Sequence, residues 1–235
     1  IIAIGSRFDD RTTGNVEYYA PIARRKKQII HVDIEPKQFG KSLPTNYNLE
    51  CDSKLFLEEI YENIDNDVKK NWIDRILYLK YRFPFKFNAP DQNRISTPLV
   101  INSINNILLQ KKDYFITTGV GNHQMMAYQY ITGKYPSRIH SSGSLGVMGA
   151  GLPYAIGAQL ANPSSLVIDI DGDSSFMMTM NELKTIREHN LPVKIAILNN
   201  SQQGMVNVWE RLFFDKRYTA TINKCNPDFS MLAES

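Results

Sequence analysis

The sequence has few cysteines, no long apolar run and no strong charge of either sign. Its two cysteines, Cys51 and Cys225, are far apart, which argues against a disulfide framework and indicates a reducing compartment. No apolar run approaches the roughly 20 residues that span a bilayer, so we predict no membrane partner. We recognise no signal or transit peptide and expect a protein that is not secreted. The net charge of +3 is too small to indicate a nucleic-acid partner.

The residues that are present are those of a globular α/β protein, with 43% hydrophobic and 22% charged residues. The first five residues, IIAIG, have the apolar character of a strand and include no initiator methionine. The sequence NPDF near the other end is predicted to begin a helix, with Asn226 as its cap and Pro227 at its first position. We therefore expect an internal fragment of a longer polypeptide.

Two apolar runs separated by a helical stretch predict a βαβ unit in residues 166–209. The first run, LVIDI, ends in the acidic sequence DGD, and the second, VKIAIL, ends in two asparagines. The stretch between them, residues 177–189, is predicted to be one helix with a capping box of Thr179 and Glu182. Such a unit is typical of a parallel sheet, so the predicted fold class is α/β.

The polar tips of these two strands predict a metal site made of oxygen ligands. Asp171, Gly172 and Asp173 end the first strand, and Asn199 and Asn200 end the second, with 27 positions from Asp173 to Asn200. The tips of adjacent parallel strands lie side by side, and ligands of such sheets bind at these carboxyl ends. Carboxylate and amide oxygens suit Mg²⁺ that holds a phosphate-bearing ligand.

The acidic tip also permits other interpretations. Three clustered carboxylates, those of Asp169, Asp171 and Asp173, repel one another unless a cation or hydrogen bonds compensate them. The sequence DIDGD is similar to the motif of haloacid-dehalogenase-type phosphatases, in which Asp169 would be the nucleophile, but those enzymes have Thr at the position of Asp173. In a purely structural interpretation, the acids cap the following helix.

The organisation of the chain predicts two domains. Residues 1–64 alternate strand and loop, with Gly5 after the first strand and Asp33 at the end of the second, as in nucleotide-binding α/β domains. Residues 65–96 contain a helix and a proline-broken stretch that we interpret as an interdomain linker. Residues 97–235 form the second α/β domain, which we expect to be truncated at its carboxyl end.

Four motifs in the expected order resemble the catalytic (large) subunit family of acetolactate synthase, also called acetohydroxyacid synthase. They are SRFDDRTTGN, TTGVGNHQM, SSGSLGVMGAGLPYAIGA, and DGDSSF followed by LNNSQQGMV; the last pair is similar to the thiamin-diphosphate motif. The resemblance implies a three-layer αβα thiamin-diphosphate-binding domain over residues 97–235. It also implies that residues 1–64 are part of a Rossmann-like middle domain that contacts FAD.

The resemblance implies site residues position by position. The implied Mg²⁺ ligands are Asp173 and Asn200 through side-chain oxygens and Gln202 through its backbone carbonyl. The positions that match contacts to thiamin diphosphate are Val120, Gly121, Asn122, His123, Gly146, Met148, Gly172, Asp173, Ser174, Ser175, Asn200, Gln202, Gly204, Met205 and Val206. Those that match contacts to FAD are Arg7, Arg11, Asp33 and Asp52. Those that match the substrate and inhibitor channel are Asp10, Arg11, Met205, Val206 and Trp209.

The implied activity is decarboxylation of pyruvate and carboligation to a second pyruvate or to 2-ketobutyrate, as in valine, leucine and isoleucine biosynthesis. The implied cofactors are thiamin diphosphate, Mg²⁺ and FAD. The implied partners are further copies in a homodimer or homotetramer and a regulatory small subunit. The activating glutamate is expected on the amino-terminal domain of a neighbouring subunit, so no catalytic residue is assigned here and the isolated fragment is predicted to be inactive.

Two alternatives to this function stay open at the level of sequence. One is another thiamin-diphosphate enzyme, such as glyoxylate carboligase or pyruvate oxidase, and the other is a non-catalytic nucleotide-binding or phosphatase-like module. The chain is rich in Asn, Ile, Lys and Tyr, whose codons are AT-rich. This composition favours a plastid gene product in the stroma, with a bacterial cytoplasmic protein as the alternative.

Overall fold

The computed structural model describes residues 1–64, 69–87, 95–133, 135 and 137–235, and for Arg11 it describes the backbone alone. The chain divides into two compact units, Ile1–Pro84 and Phe85–Ser235. This boundary lies within the predicted linker segment, of which residues 65–68 and 88–94 are outside the described residues. The domain limits inferred from the sequence therefore stay predictions.

The first unit contains a three-stranded parallel sheet in the order β1-β2-β3. Its strands are β1 (Ile2–Ile4), β2 (Ile30–Asp33) and β3 (Tyr47–Glu50). Its helices are α1 (Asp10–Thr13), α2 (Pro21–Arg25), α3 (Ser53–Asn63) and α4 (Lys70–Arg82), with a 3₁₀ turn over Pro36–Gln38. The core consists of Ala3, Phe8, Ile29 and Leu43. The predicted strands, one before Gly5 and one ending at Asp33, are confirmed, whereas the predicted loop between them contains the helices α1 and α2.

The second unit contains a four-stranded parallel sheet in the order β5-β4-β6-β7. Its strands are β4 (Tyr114–Thr118), β5 (Ile139–Ser141), β6 (Leu166–Gly172) and β7 (Lys194–Leu198). Its helices are α5 (Thr97–Leu108), α6 (Asn122–Tyr130), α7 (Gly151–Ala161), α8 (Asp173–Phe176), α9 (Leu183–Glu188), α10 (Gly204–Phe213) and α11 (Phe229–Glu234). Two parallel sheets confirm the α/β fold class.

Helices cover both faces of this second sheet. On one face, Ile101 of α5 and Ala127 of α6 join Ile116 and Ile170 of the central strands in one apolar core. On the other face lies α7, whose Gly151 backbone approaches Asp169 of β6 so closely that a Cβ there would be 2.5 Å from a carboxylate oxygen. The three-layer arrangement follows from the two-sided burial of a parallel sheet.

The predicted βαβ unit is present, but its helix is not continuous. Strands β6 and β7 are adjacent and parallel, and Gly172 is paired with Leu198. The single helix predicted over residues 177–189 is wrong, since the segment contains a 3₁₀ turn, Met180–Glu182, followed by α9. The predicted capping box is also wrong, because the side chain of Thr179 makes no cap hydrogen bond. The Thr179 hydroxyl donates to the carbonyl of Gly149 at 2.8 Å, so a tertiary contact replaces the local cap.

The helix predicted to begin at Asn226 also starts later. Asp228 caps α11 by accepting from the backbone amides of Ser230 at 2.9 Å and Met231 at 3.1 Å. Asn226 therefore does not cap this helix, and its side-chain amide donates to Asp173 and Asn199 instead. Cys51 and Cys225 are both free thiols, as expected. Among the described residues, every helix is too short or too polar to cross a bilayer.

Candidate functional site

Four loops follow the carboxyl ends of the strands in the second unit. They are residues 119–123, which run from β4 into α6, 142–149 between β5 and α7, 172–175, which run from the last residue of β6 into α8, and 199–204, which run from β7 into α10. All predicted thiamin-diphosphate positions lie in these loops or in the first turns of the helices that follow them. The parallel order of the strands places the four loops along one edge of the sheet.

Asp173 lies at the centre of this edge, where β6 passes into α8. Its side chain is almost completely buried, with 1% exposure. One carboxylate oxygen, Oδ2, accepts from the side-chain amides of Asn223 at 2.8 Å and Asn226 at 2.9 Å. The other, Oδ1, has a single long contact of 3.4 Å, from the backbone amide of Asn200. The predicted proximity of the two strand tips is therefore confirmed, and Oδ1 is the oxygen with capacity to accept more.

The loop after β7 presents further oxygen atoms beside Asp173. Asn200 Oδ1 accepts from the backbone amide of Gln202 at 3.2 Å, which fixes the turn. Within the described part of the chain, no group of three or more His, Cys, Asp or Glu side chains could hold a metal ion. The predicted ligand set has one carboxylate, one amide oxygen and one backbone carbonyl, so it differs in kind from such a group. These atom types are the ones that suit a hard cation with additional ligands from an anion.

Three glycines let the loops pass one another closely. A Cβ at Gly172 would lie 2.8 Å from Nδ1 of His123, and one at Gly121 would lie 2.8 Å from the same ring. A Cβ at Gly204 would lie 2.7 Å from the side-chain nitrogen of Asn122 and 3.1 Å from that of Asn200. These contacts bring the loops after β4, β6 and β7 together, and any larger residue would separate them.

His123 is buried between these glycines and the β6 tip. Its Nε2 lies 3.2 Å from Oδ1 of Asp171, without the alignment of a hydrogen bond. That carboxylate oxygen instead accepts from the backbone amide of Gly172 at 2.9 Å. Val120 and Asn122, its neighbours in the loop, are half-buried. The predicted diphosphate positions of this loop therefore continue directly from β4 into α6.

A second acid, Asp169, lies deeper in the sheet and is completely buried. Its Oδ1 accepts from the hydroxyl of Thr117 at 2.9 Å. Burial, and then the neighbouring Asp171 carboxylate, raise the pKa of Asp169 to about 8, against the opposing effect of the Thr117 hydrogen bond. An acid that is protonated at neutral pH and shielded from solvent is unsuited to nucleophilic attack. The phosphatase-like interpretation of Asp169 is therefore disfavoured.

A hydrogen bond joins the loop after β5 to α8. The backbone amide of Gly149 donates to Ser175 Oγ at 2.9 Å, and Ser175 is buried. Gly146 and Gly149 have positive φ angles of 67° and 79°, which glycine adopts without strain. Met148 between them is half-buried. The Ser175 hydroxyl thus holds this loop, whereas that of the neighbouring Ser174 accepts from Asn223 at 2.6 Å.

Helix α10 begins beside the loop after β7 and carries the predicted channel residues. Met205 is half-buried, and Val206 and Trp209 are 49% and 42% exposed. The ring of Trp209 packs edge-on against Phe213 at 5.7 Å. The polar tip of β7 is thus followed in the chain by a helix with partly exposed apolar side chains, and their place in a channel stays a prediction.

Sequence reasoning missed three residues of this site: Glu210, Asn223 and Asn226. Glu210 is buried and accepts from the amide of Thr219 at 2.7 Å and the hydroxyl of Thr221 at 2.6 Å. The two asparagines bond to Asp173 across 50 and 53 positions of sequence. Neither periodicity nor local spacing indicates such distant pairs. The sequence around Asn226 is that of a helix cap, so it gives no sign of the contact with Asp173.

The predicted FAD positions all lie in the first unit, at the carboxyl end of its sheet. Arg7 forms an ion pair with Asp9 at 3.2 Å in the loop after β1. Asp10, which is predicted for the channel and not for FAD, is exposed in α1. Asp33 ends β2 and accepts from the amide of Glu35 at 2.9 Å. Asp52 accepts from the amide of Lys54 at 2.8 Å and caps α3. The side chain of Arg11 is outside the described residues.

The predicted channel is divided between the two units. Asp10 and Arg11 belong to the first, and Met205, Val206 and Trp209 belong to the second. Each group lies in a helix that comes after a strand of its own sheet, α1 after β1 and α10 after β7. The assignment of these residues to one channel remains a prediction.

Comparison with known proteins identifies both units. Residues 1–60 match the family described as thiamine pyrophosphate enzyme, central domain, and residues 119–235 match the thiamine pyrophosphate enzyme, C-terminal TPP binding domain. Along its whole length, the chain is 45% identical to the mitochondrial acetolactate synthase of Schizosaccharomyces pombe. It is likewise 39% identical to the chloroplastic acetolactate synthase 1 of Zea mays and 37% identical to the acetolactate synthase isozyme 2 large subunit of Escherichia coli.

The chain spans only part of each relative: 36% of the Schizosaccharomyces pombe protein, 38% of the Zea mays protein and 41% of the Escherichia coli protein. The first matched region contains all three strands of the first sheet, and the second contains β5, β6 and β7 but begins directly after β4. The chain therefore belongs to the thiamine pyrophosphate enzymes, as a homologue of acetolactate synthase catalytic subunits.

Proposed function

We propose that the second unit holds the metal and diphosphate of thiamin diphosphate in an enzyme that makes acetolactate. The observation that carries this proposal is the environment of Asp173. This buried carboxylate has one oxygen saturated by two amides and one with a single 3.4 Å contact, at the meeting point of three glycine-lined loops. A buried charge with an oxygen left to share is expected where a cation binds.

The residues present fit this cofactor. Asp173 Oδ1, the Asn200 side-chain oxygen and the Gln202 carbonyl would hold Mg²⁺, with diphosphate oxygens completing its shell. Gly172, Ser174 and Ser175 on one side, and Gly121, Asn122 and His123 on the other, would flank the diphosphate. The glycines suit this role because a Cβ at any of them would block the approach of neighbouring groups.

Thiamin diphosphate, when bound, supplies the electron sink for decarboxylation of a 2-keto acid and for carbon–carbon bond formation. The chain's own residues bind and orient this cofactor. Gly146 and Met148 would contact its pyrimidine ring. Met205, Val206 and Trp209 would exclude water and line the channel through which substrate enters. The activating glutamate is assigned to none of the 235 residues, and we propose that another domain supplies it in the complete polypeptide.

The proposed substrates are pyruvate and 2-ketobutyrate, since the relatives of this chain are named acetolactate synthases. These names favour this activity over glyoxylate carboligase or pyruvate oxidase. The proposed assembly is a homodimer or homotetramer with a regulatory small subunit. A plastid location is supported by the chloroplastic relative of Zea mays, whereas the Schizosaccharomyces pombe relative makes the mitochondrion an alternative.

We further propose that the first unit contacts FAD through Arg7, Arg11, Asp33 and Asp52. Support comes from the position of Asp33 at a strand end, where acids of nucleotide-binding sheets meet ribose hydroxyls. Flavin absorbance of the purified complete polypeptide, compared between wild type and Asp33→Ala, tests this assignment. Retention of equal flavin by both proteins would remove Asp33 from the proposed site.

Calorimetric titration with thiamin diphosphate in the presence of Mg²⁺ tests the main proposal. The wild-type protein should bind, and Asp173→Ala should abolish the Mg²⁺-dependent part of the heat. Asp113→Ala is the matched control, because Asp113 precedes β4 at the opposite end of the sheet and pairs with Arg138 at 3.2 Å. Equal binding by wild type and Asp173→Ala would overturn the metal assignment.

A further inference from the structure

We propose that Asn223 and Asn226 make the metal site selective for Mg²⁺ over Ca²⁺ by holding Oδ2 of Asp173, so that this carboxylate ligates through Oδ1 alone. The inference rests on the proposed function, because it assumes that Asp173 binds the metal of thiamin diphosphate. It adds two residues that act through Asp173 and are positioning residues rather than ligands. Their effect is on the geometry with which the carboxylate meets a cation.

The amide of Asn226 connects the tips of two strands. Its nitrogen lies 2.9 Å from Asp173 Oδ2 and 2.9 Å from the side-chain oxygen of Asn199. A primary amide has two N–H donors, so both are used, one for each strand tip. The acceptor on the β6 side is a carboxylate, which cannot donate when ionised, so the nitrogen must face it. The side-chain amide of Asn226 is therefore oriented with its nitrogen, and not its oxygen, towards Asp173.

The amide of Asn223 makes a second pair of contacts at the same place. Its nitrogen lies 2.8 Å from Asp173 Oδ2 and 2.6 Å from the hydroxyl oxygen of Ser174. Two donors therefore converge on one carboxylate oxygen, whereas Oδ1 has the single 3.4 Å contact from Asn200. The two oxygens of Asp173 have different roles, and only one is available without breaking hydrogen bonds to a charged group.

Both asparagines are held by a segment that crosses the site, residues 219–226, which we call the strap. The strap pairs antiparallel with the loop after β7, through Gln202 and Ile222. The backbone amide of Asn223 donates to the backbone carbonyl of Ser201 at 2.8 Å. The backbone amide of Gln203 donates to the backbone carbonyl of Thr221 at 2.8 Å. The buried Glu210 carboxylate accepts from the beginning of the strap. The donors are thus held in place before any cation binds.

This geometry discriminates between two common divalent cations. Mg²⁺ requires a small, near-ideal octahedral shell, for which a carboxylate supplies one oxygen. Ca²⁺ accepts six to eight oxygens and is often bound by both oxygens of one carboxylate. An oxygen of an ionised carboxylate has two lone pairs, and both lone pairs of Oδ2 accept from asparagine amides, so bidentate ligation by Asp173 would displace at least one of these amides. The strap therefore disfavours the Ca²⁺ geometry and leaves the Mg²⁺ geometry intact.

A purely structural role of the asparagines makes a different prediction. If they only stabilised the strap, their removal would weaken the binding of every cation in the same proportion. The ratio of Mg²⁺ to Ca²⁺ affinity is consequently the diagnostic quantity. It is insensitive to a uniform loss of folded protein, because both cations are measured on the same sample.

The experiment measures Mg²⁺ and Ca²⁺ dissociation constants by calorimetry on the complete polypeptide with saturating thiamin diphosphate. The double variant Asn223→Ala/Asn226→Ala should lower the Mg²⁺ to Ca²⁺ affinity ratio by about tenfold, equivalent to about 1.4 kcal/mol. Each single variant should lower the ratio by less. Asn162→Ala is the control, since Asn162 donates to the Ala158 carbonyl at 3.1 Å at the end of α7, and should leave the ratio unchanged.

The outcomes separate this inference from the function on which it rests. An unchanged ratio in the double and both single variants, with Mg²⁺ still bound by the wild type, would overturn the selectivity role alone. A wild type that binds neither cation with thiamin diphosphate would overturn both proposals. If the double variant fails to fold, the single variants decide, because each leaves one amide on Oδ2.

Discussion

The hydroxyl of Thr117 donates to the carboxyl group of Asp169 at 2.9 Å, in the part of the sheet covered by α7, where neither side chain reaches solvent. The pair lies between β4 and β6, and Thr117 is directly opposite Asp169 in the register. Asp171 carries a second carboxylate on the same strand and side, and its charge disfavours ionisation of Asp169. A proton retained inside the sheet at neutral pH has consequences for stability.

We expect the free energy of unfolding to decrease as the pH rises from about 4 to about 8. The pKa of Asp169 is about 8 in the folded protein and about 3.9 in the unfolded chain, so the folded state binds the extra proton between these values. Its stabilising contribution is therefore complete below the unfolded pKa and is lost as the pH rises through the folded one. The slope has an upper bound of about 1.4 kcal/mol per pH unit.

Urea unfolding midpoints between pH 5 and 8.5 check this expectation. Asp169→Asn keeps an acceptor for Thr117 and removes the titration, so its midpoint should vary less with pH than that of the wild type. Asp113→Asn changes an acid at the opposite end of the sheet and is the matched control. Identical pH slopes in wild type and Asp169→Asn would show that Asp169 is ionised throughout.

Gly172→Ala should destabilise the site. Its new Cβ would lie 2.8 Å from Nδ1 of the buried His123, and we expect a cost of about 1–3 kcal/mol as the loops move apart. Gly157→Ala is the control, since a Cβ there meets nothing within 4 Å and lies within helix α7. That variant should gain about 0.5–1 kcal/mol. Chemical denaturation measures both, and a neutral Gly172→Ala would contradict the close packing.

Glu210→Ala should loosen the strap. Removal of the carboxylate leaves the Thr219 amide and the Thr221 hydroxyl without their acceptor, at a cost of about 1–3 kcal/mol. Hydrogen exchange followed by mass spectrometry should show faster exchange in residues 219–226 than in the wild type. Glu188→Ala, at the exposed end of α9, should leave exchange in the strap unchanged. Unaltered protection in Glu210→Ala would show that the other contacts of the strap, those to Asp173, Ser174 and the loop after β7, are sufficient to hold it.

The 235 residues alone should form no acetolactate from pyruvate, even with thiamin diphosphate, Mg²⁺ and FAD present. The reason is that no residue of this chain is assigned to activate the cofactor. Colorimetric detection of acetolactate, with the complete polypeptide as the positive control, measures the difference. Substantial product from the 235 residues would mean that the activating group lies among them.

The sequence was sufficient to predict the β6–β7 unit and the meeting of its two tips. Adjacent parallel strands need a crossover of sufficient length, and the 27 positions between Asp173 and Asn200 provide it. Apolar runs that end abruptly in acids and amides mark the tips, so the pairing of Asp173 and Asn200 can be predicted from the sequence. Local patterns succeed here because the candidate metal-ligating side chains directly follow the ends of the two strands.

Other features depend on contacts that no local pattern encodes. Thr179 and Glu182 have the spacing of a capping box, but the Thr179 hydroxyl donates to the Gly149 carbonyl, no side-chain cap forms, and the predicted helix is interrupted. Asn226 precedes a proline as a helix cap would, yet Asp228 takes that role. In both cases the polar side chain that could cap a helix instead hydrogen-bonds to a group distant in sequence, the Gly149 carbonyl for Thr179 and the Asp173 carboxylate for Asn226.

The contact between Gly151 and Asp169 also restricts how related sequences can vary. A Cβ at position 151 would lie 2.5 Å from the Asp169 carboxylate and equally close to the backbone nitrogen of Gly119. A larger residue at 151 is therefore compatible only with a smaller residue at 169 and a displaced loop after β4. During divergence, these positions should change together or remain fixed, so a helix on one face of the sheet and a loop at its edge are inherited as one unit.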